Sequence, residues 1–443
     1  MTNSAPKGSV AVITLGCDKN RVDTEKVLAR LVAHGYEIVP DVPKADYILI
    51  NTCAFIRSAT KESVDTVLEA ASLRKKGAKI IVLGCFAERY ALETAEEFSE
   101  VDAFVGINRY DEIVSLLEKA GAERLFLGGA PAFYGADRVI TTPAHYAYLK
   151  IAEGCSNRCT YCAIPRIRGA YRSEREDDVL REAERLCTDG VKELIVVAQD
   201  TTRYGSDLND GTDIARLMRK LCGFDFKKIR LLYSYPESVT DELIDVIASE
   251  PKVAKYMDIP LQHVSRDVLK RMNRRSSPEQ IYALLAKLRK AVPDIAVRST
   301  FIVGFPGETE ADFDELKRFV AEGNIDYAGF FAYSKEEGTP AAKMRGQIPY
   351  KVKKAREKEL SRLQCDIIEK KHEKYLGKCL EAVYEGVDYA KSRFVARSEY
   401  NAPEIDTKIY LTSEFPLEIG EYYSVKITRT GFNLSGEAVK KTE

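Results

Sequence analysis

The chain has 443 residues and carries 67 Lys+Arg against 68 Asp+Glu, a formal net charge of −1; that balance excludes polyanion binding driven by overall charge. The length allows two or three domains, each large enough for its own core. The N-terminus, Met1 to Lys7, is short and polar, no signal-type apolar segment follows it, and no apolar run approaches the length of a membrane span, so a cytosolic protein is expected, with its ten cysteines engaged in metal or redox work rather than disulfides.

From Val10 to Leu127 strands and helices alternate, the pattern of a parallel sheet covered by helices. Val10–Leu15 is an apolar run ending at Gly16-Cys17, and a helical period over Asp23–His34 stops at Gly35. Tyr47–Ile50 is a second strand before Asn51-Thr52-Cys53, Ser58–Ala71 a helix, and Lys79–Leu83 a third strand before Gly84-Cys85. A helix at Glu88–Phe98, a short strand at Ala103–Val105 and a helix at Asp111–Ala120 complete the segment. Cys17, Cys53 and Cys85 each lie just past a strand end. Parallel strands deliver such ends to one edge, where ligands bind, so three thiols distant in sequence are predicted to converge. Two of them follow glycine, which permits a sharp turn close to a bulky ligand. The pattern points to an iron–sulfur cluster with three protein ligands; three buried core cysteines are the alternative.

Gly128–Tyr146 is rich in Gly and Pro and is predicted to be a linker. Six strand–helix units follow, with strands at Tyr148–Ala152, Glu193–Ala198, Ile229–Tyr235, Tyr256–Leu261, Ala296–Val303 and Tyr327–Tyr333. The intervening helical patterns are Asp178–Thr188, Ile214–Cys222, Asp241–Ala248, Pro278–Val292 and Glu310–Glu322. Six units fall short of an eight-fold barrel, and a partial (β/α)6 barrel fits. The first strand runs into Glu153-Gly-Cys-Ser-Asn-Arg-Cys-Thr-Tyr-Cys162, where Cys155, Cys159 and Cys162 stand at C-x-x-x-C-x-x-C spacing. Soft thiolates select zinc or iron–sulfur. A structural zinc site pairs two such knuckles, and no second knuckle follows, so three thiolates suit a four-iron cluster with one iron open to a substrate; three structural cysteines are the alternative.

Barrel chemistry sits at the C-terminal ends of strands. Those ends carry Gln199–Gly205, Tyr235-Pro236, Gln262-His263, Gly304-Phe-Pro-Gly-Glu308 and Ser334–Thr339, all polar or glycine-bearing, though each alone also reads as an ordinary turn. His263, one of four histidines, reads as a core or rim residue. Tyr350–Lys378 is a charged helix with apolar positions Leu360, Leu363, Ile367 and Ile368, expected as an exposed connector with a solvated basic face. Short alternating runs at Leu380–Tyr384, Arg393–Arg397, Lys408–Leu411, Tyr422–Thr428 and Asn433–Val439 predict a small antiparallel barrel. Lys371–Glu443 holds 11 Lys+Arg and 12 Asp+Glu, which argues against nucleic acid as its main ligand. Cys187, Cys222, Cys365 and Cys379 stand apart and read as structural.

The Glu153–Cys162 stretch resembles the signature of the radical S-adenosylmethionine enzymes. The resemblance implies a [4Fe–4S] cluster on Cys155, Cys159 and Cys162, an open iron chelated by the amino and carboxylate groups of S-adenosylmethionine, and Tyr161 against its methionine part. It also implies the partial (β/α)6 barrel. Gly304–Glu308 resembles the strand-five motif near the adenosyl group, making Gly304 and Gly307 cofactor-binding candidates together with Gln199 and Arg298; Thr300 shares the strand with Arg298. Across essentially the whole chain the three segments resemble the methylthiotransferases: an N-terminal domain with three dispersed cysteines (8–127), a linker (128–145), a radical S-adenosylmethionine core (146–370) and a C-terminal TRAM barrel (371–443). In that reading Cys17, Cys53 and Cys85 hold a second [4Fe–4S] cluster.

One branch of the family modifies a tRNA adenosine. The other modifies an aspartate β-carbon in protein twelve of the small ribosomal subunit, with a reducing electron donor and a sulfur donor as further partners. Leu15–Glu25, Ala198–Gly205, Tyr256–His263 and Asn401-Ala-Pro-Glu-Ile-Asp406 are similar to the second branch, as is the near-neutral C-terminal segment. The tRNA branch is the alternative, and a zinc-dependent RNA-binding protein a remote one. Glu174 departs from the family, which often has Arg there; this leaves a local contact open.

Overall fold

A computed structural model describes residues 6–119, 123–129, 135 and 137–442; most of the polar N-terminus and part of the predicted linker, residues 130–134 and 136, lie outside the described residues, as does Ala120. The chain forms two compact units. The first comprises residues 1–141, 148–158 and 162–185, the second 142–147, 159–161 and 186–443.

The first unit is built on β1 (Ser9–Thr14), α1 (Asp18–Ala33), β2 (Glu37–Ile38), β3 (Tyr47–Thr52), α2 (Arg57–Leu73), β4 (Lys79–Gly84), α3 (Cys85–Thr94), β5 (Ala103–Val105), α4 (Ile113–Glu118) and β6 (Leu125–Phe126). Its strands are all parallel, in the order β2-β1-β3-β4-β5-β6. β3 and β4 are apolar on both faces, as parallel strands between helices must be: Ile48, Ile50, Ile80 and Val82 enter one core with Phe86 and Phe104, while Leu49, Ile81 and Leu83 enter the other with Val10, Leu31 and Tyr110.

α1 begins at Asp18, five residues before the apolar period starts. Its first turns bury Lys19, Asn20, Asp23, Thr24, Glu25 and Lys26, a polar face that hydrophobic periodicity cannot reveal. This face receives the later segments of the same unit. Lys150 pairs with Asp23 and, at 2.9 Å, with Glu153. Arg138 pairs with Glu25 and, at 2.7 Å, with Glu182, which also holds Lys26 at 2.9 Å. Glu174, the departure from the family pattern, is buried with Lys26 at 3.9 Å, and burial pushes its carboxyl up to about 7.

Between these segments run β7 (Tyr146–Lys150), whose first two residues belong to the second unit, then β8 (Ala152–Glu153), α5 (Ile164–Ile167), β9 (Arg172–Ser173) and α6 (Glu176–Thr188). The barrel strands β10 (Glu193–Val197), β11 (Lys228–Leu231), β12 (Tyr256–Asp258), β13 (Ala296–Val303) and β14 (Tyr327–Ala332) follow. They form two three-stranded sheets, β11-β10-β7 and β12-β13-β14; the β10–β11, β12–β13 and β13–β14 pairs are parallel, and Ile229↔Val253 continues the parallel pairing beyond β11. The helices of the second unit are α7 (Ile214–Leu221), α8 (Asp241–Ser249), α9 (Arg266–Arg271), α10 (Pro278–Ala291) and α11 (Glu310–Ala321). Local sequence starts them: Ser277 and Thr309 close capping boxes with Gln280 and Asp312.

α12 (Tyr350–His372) corrects the expectation of an exposed connector: Lys353, Arg356, Leu360, Gln364, Ile368 and His372 form a buried stripe. Four of the six are polar and have acceptors. Lys353 Nζ donates to Tyr333 O at 3.0 Å, Arg356 to Glu308 at 2.6 Å, Gln364 to Asp326 O at 3.0 Å, and His372 Nδ1 lies 2.8 Å from Gly431 O. β15 (Cys379–Asp388), β16 (Arg393–Ser398), β17 (Ile409–Thr412), β18 (Tyr422–Arg429) and β19 (Leu434–Lys441) close a barrel in the order β15-β16-β17-β19-β18.

Within the second unit this small barrel meets the N-terminal ends of the parallel strands through charge. Glu193 at the start of β10 is 2.8 Å from Arg230 and 2.6 Å from Arg397, and Arg397 also reaches Glu385 at 2.8 Å. Against the burial, Arg397 and Arg230 hold the Glu193 carboxyl down to about 2. Removing one partner of a buried pair strands the other, so Arg397→Ala is expected to cost about 3 kcal/mol in denaturant unfolding. Because Glu193 titrates lower folded than unfolded, its stabilisation is present above the ordinary carboxylate range and lost as pH falls toward 2. Melting temperatures between pH 5 and 2 should drop less steeply in R397A than in the parent.

Candidate functional site

The three dispersed cysteines converge at the C-terminal edge of the first unit's sheet. Cys17 is the residue before α1, Cys53 follows β3, and Cys85 opens α3. Asn20 organises them. Its Nδ2 donates to Leu15 O at 3.1 Å and Thr52 O at 2.9 Å, which turns Oδ1 to the sulfurs of Cys17 (3.9 Å) and Cys85 (3.8 Å). Gly16, at φ +88°, lies against Cys53: a Cβ there would stand 2.7 Å from Cys53 Cβ and 3.2 Å from its Sγ. Cys85 is buried, Cys53 half-buried and Cys17 exposed.

Burial pushes the Cys53 thiol up to about 12, with Cys85 and Cys17 adding to the effect. It also raises Cys85, opposed by Arg168. Three cysteine sulfurs gathered at one sheet edge are a donor set that fits an iron–sulfur cluster with three protein ligands. Among the described residues no three His, Cys, Asp or Glu groups are gathered as one bare metal ion would require.

Arg168, which sequence reasoning did not single out, is buried beside this centre. Its Nη2 donates to Asn20 Oδ1 at 2.5 Å, and its Nη1 to Glu153 at 2.8 Å and Asp23 at 3.1 Å. Burial opposes ionisation of Glu153, yet Arg168 and Lys150 hold its carboxyl below the usual range. Glu153 starts the cysteine loop. There Gly154, at φ +76°, leaves no room for a Cβ, which would stand 2.7 Å from Gly169 O, and the Cys155 N–H donates to Gly169 O at 3.2 Å. All these groups belong to the first unit, as does Cys162.

Cys159, Thr160 and Tyr161 belong to the second unit. Thr160 is pinned by its N–H to Met272 O at 3.0 Å and by its hydroxyl to Arg271 O at 2.8 Å. Cys159 Sγ lies 3.8 Å from Tyr235 OH, beyond the end of β11. Tyr161 packs edge-on to Phe305 of the strand-five loop, ring centroids 6.5 Å apart. The structure thus brings together Tyr161 and Gly304–Glu308. Arg274, also missed, stacks 3.9 Å over the Tyr235 ring.

The strand-five loop is held from below. Gly304 (φ +70°) is covered by the Lys353 side chain, and Glu308 accepts from Phe305 N at 3.1 Å and from Arg356 at 2.6 Å. His263 is fully buried, its Nδ1 accepting from Ser265 N at 2.9 Å, and burial lowers it to about 3; it is a neutral core residue.

Gln199 is half-buried immediately past β10, at the rim. Arg298 is not brought to that edge. It is the third residue of β13, at the opposite end from Gly304, and its charge is taken by Asp258 at 3.0 Å and Asp406 at 3.5 Å. Thr300, two residues on, is half-buried and gives its carbonyl to Gln262 N at 2.8 Å.

Comparison with known proteins agrees segment by segment. Residues 149–320 match the Radical SAM superfamily, 376–439 the TRAM domain, and 9–106 a family described as uncharacterized protein family UPF0004. The ribosomal protein uS12 methylthiotransferase RimO of Pelobacter propionicus is 44% identical over 99% of this chain and 100% of its own length. The protein of the same name from Lachnoclostridium phytofermentans is 45% identical over 96% and 99%. The chain belongs to the RimO methylthiotransferase family. Solved structures share the fold at low identity. The radical S-adenosylmethionine methyltransferase TsrM from Kitasatospora setae, with cobalamin and a [4Fe–4S] cluster bound, aligns at TM-score 0.56 and 14% identity over 75% of this chain and 76% of that one. OxsB, a cobalamin-dependent S-adenosylmethionine radical enzyme, aligns at 0.52 and 14% over 82% and 56%.

For this RimO-family chain, Gly304→Ala is expected to lose about 1–2 kcal/mol of stability from its left-handed backbone alone, and to displace Lys353. A chemical denaturation series beside the double variant G304A/K353A should show the two costs to be non-additive.

Proposed function

We propose that this chain is a radical S-adenosylmethionine methylthiotransferase that adds a methylthio group to the β-carbon of an aspartate in ribosomal protein uS12. The observation that carries the reading is the pairing of two three-cysteine sets of different construction in a chain of the RimO family: Cys17, Cys53 and Cys85 gathered from three strand ends, and Cys155, Cys159 and Cys162 in one loop. Each set would hold a [4Fe–4S] cluster with an open iron. Bound there with S-adenosylmethionine, the clusters supply radical hydrogen abstraction and a transferable sulfur, which the unactivated C–H bond of the substrate needs and no side-chain base could replace.

The protein's own residues bind and orient. Tyr161 and the Gly304–Glu308 loop form a surface suited to S-adenosylmethionine, with Gly304 and Gly307 shaping the loop and Gln199 at the neighbouring strand end. Arg356, Lys353 and neutral His263 fix that loop. Arg298 acts at a distance, tying β13 to Asp258 of β12 and to Asp406. The divisions we assign are 8–127 for the three-cysteine sheet, 128–145 as linker, 146–370 for the core and 371–443 for the TRAM barrel; the matches at 9–106, 149–320 and 376–439 support the first, third and fourth. An electron donor and a sulfur donor complete the reaction from outside. No helix among the described residues is long and apolar enough to cross a membrane, and we place the protein with its ribosomal substrate in the cytoplasm.

Cys159→Ala is expected to reduce S-adenosylmethionine cleavage to background, whereas Cys53→Ala retains cleavage and loses methylthiolation; chromatography of 5′-deoxyadenosine and mass spectrometry of the uS12 aspartyl peptide read the two separately. Full methylthiolation by C53A would overturn the two-cluster reading. A methylthio mass on tRNA adenosine, with uS12 unmodified in cells carrying the gene, would overturn the substrate.

A further inference from the structure

We infer that Arg168 is the cation facing the N-terminal three-cysteine centre and that it raises the reduction potential of the cluster which, on the reading above, Cys17, Cys53 and Cys85 hold. The guanidinium is buried and oriented. Its Nη1 edge is spent on the carboxylates of Glu153 (2.8 Å) and Asp23 (3.1 Å). Its Nη2 edge points the other way, to Asn20 Oδ1 at 2.5 Å, the atom that lies 3.8 Å from Cys85 Sγ and 3.9 Å from Cys17 Sγ. Asn20 cannot rotate to offer a donor instead, because its Nδ2 is bound to Leu15 O and Thr52 O.

Three thiolates on a [4Fe–4S]2+ core carry net negative charge, and each electron added increases it. On the side of the buried Cys85 the increase is expensive unless a positive group stands close. Lys150 shares Asp23 and Glu153 with Arg168, so the four charges balance as a group, and within that group it is the guanidinium that lies on the sulfur side, against Asn20 Oδ1. Charge and hydrogen bonds at the sulfurs are among the levers that set cluster potentials.

The test uses the full-length chain carrying C155A/C159A/C162A, so that only the N-terminal centre takes up iron. After anaerobic reconstitution, iron and sulfide are counted and the cluster is titrated by electron paramagnetic resonance. With Arg168→Gln the reduction equilibrium is expected to shift tenfold or more toward the oxidised form, 59 mV for a one-electron couple, while Arg168→Lys stays close to the parent. Coincident titrations of R168Q and the parent overturn the inference. If R168Q holds no iron, restoration by R168K at the parent potential supports the charge role, and loss shared by R168K assigns Arg168 to packing and overturns it. A parent that takes up no iron overturns the ligand reading instead.

Discussion

A charge removed from water must find an opposite charge or a full set of hydrogen bonds, at a cost of several kcal/mol if it does not. That constraint organises both units of this chain. In the first, the polar face of α1 is buried because Arg138, Lys150 and Arg168 come from later segments to meet Glu25, Asp23 and Asn20. The cysteine centre is a by-product of the same packing: the residues that satisfy α1 also fix Asn20, and Asn20 gathers the sulfurs. In the second, Glu193, Arg230, Arg397 and Glu385 form a chain of pairs from strand start to barrel wall.

Much of this architecture was legible in the sequence. Apolar runs marked β3 and β4 because parallel strands covered on both faces leave no alternation to misread, and Cys53 and Cys85 were locatable because each follows such a run. Helical spacing placed α10 and α11. What periodicity missed was buried polarity. The start of α1, Arg168 and the inner face of α12 look like solvated charge in one dimension, and only the fold supplies their partners. Arg298 was misplaced for the related reason that a strand's residue types do not say which end of it a ligand uses.

The motifs used to recognise the family divide by what they do. Leu15–Glu25 carries Cys17 and the asparagine that faces its sulfur. Ala402–Asp406 is a clamp: Asp406 accepts from Tyr256 OH at 2.7 Å and from Ala402 N at 2.8 Å while pairing with Arg298. A motif that distinguishes one branch of a family can thus lie at a joint in the scaffold as readily as at a reacting atom.

That joint bears on how separable the C-terminal barrel is. Its strands close on themselves, which suggests a module that could be cut away or exchanged. Yet the barrel supplies the guanidinium that neutralises the first residue of β10 and the carboxylate that neutralises the third residue of β13. A truncated chain would leave Glu193 with Arg230 alone and Arg298 with Asp258 alone, at the base of two strands whose far ends carry Gln199 and Gly304. A transplanted barrel would have to bring an arginine and an aspartate to the same two places. The small domain is an appendage in topology and a keystone in electrostatics.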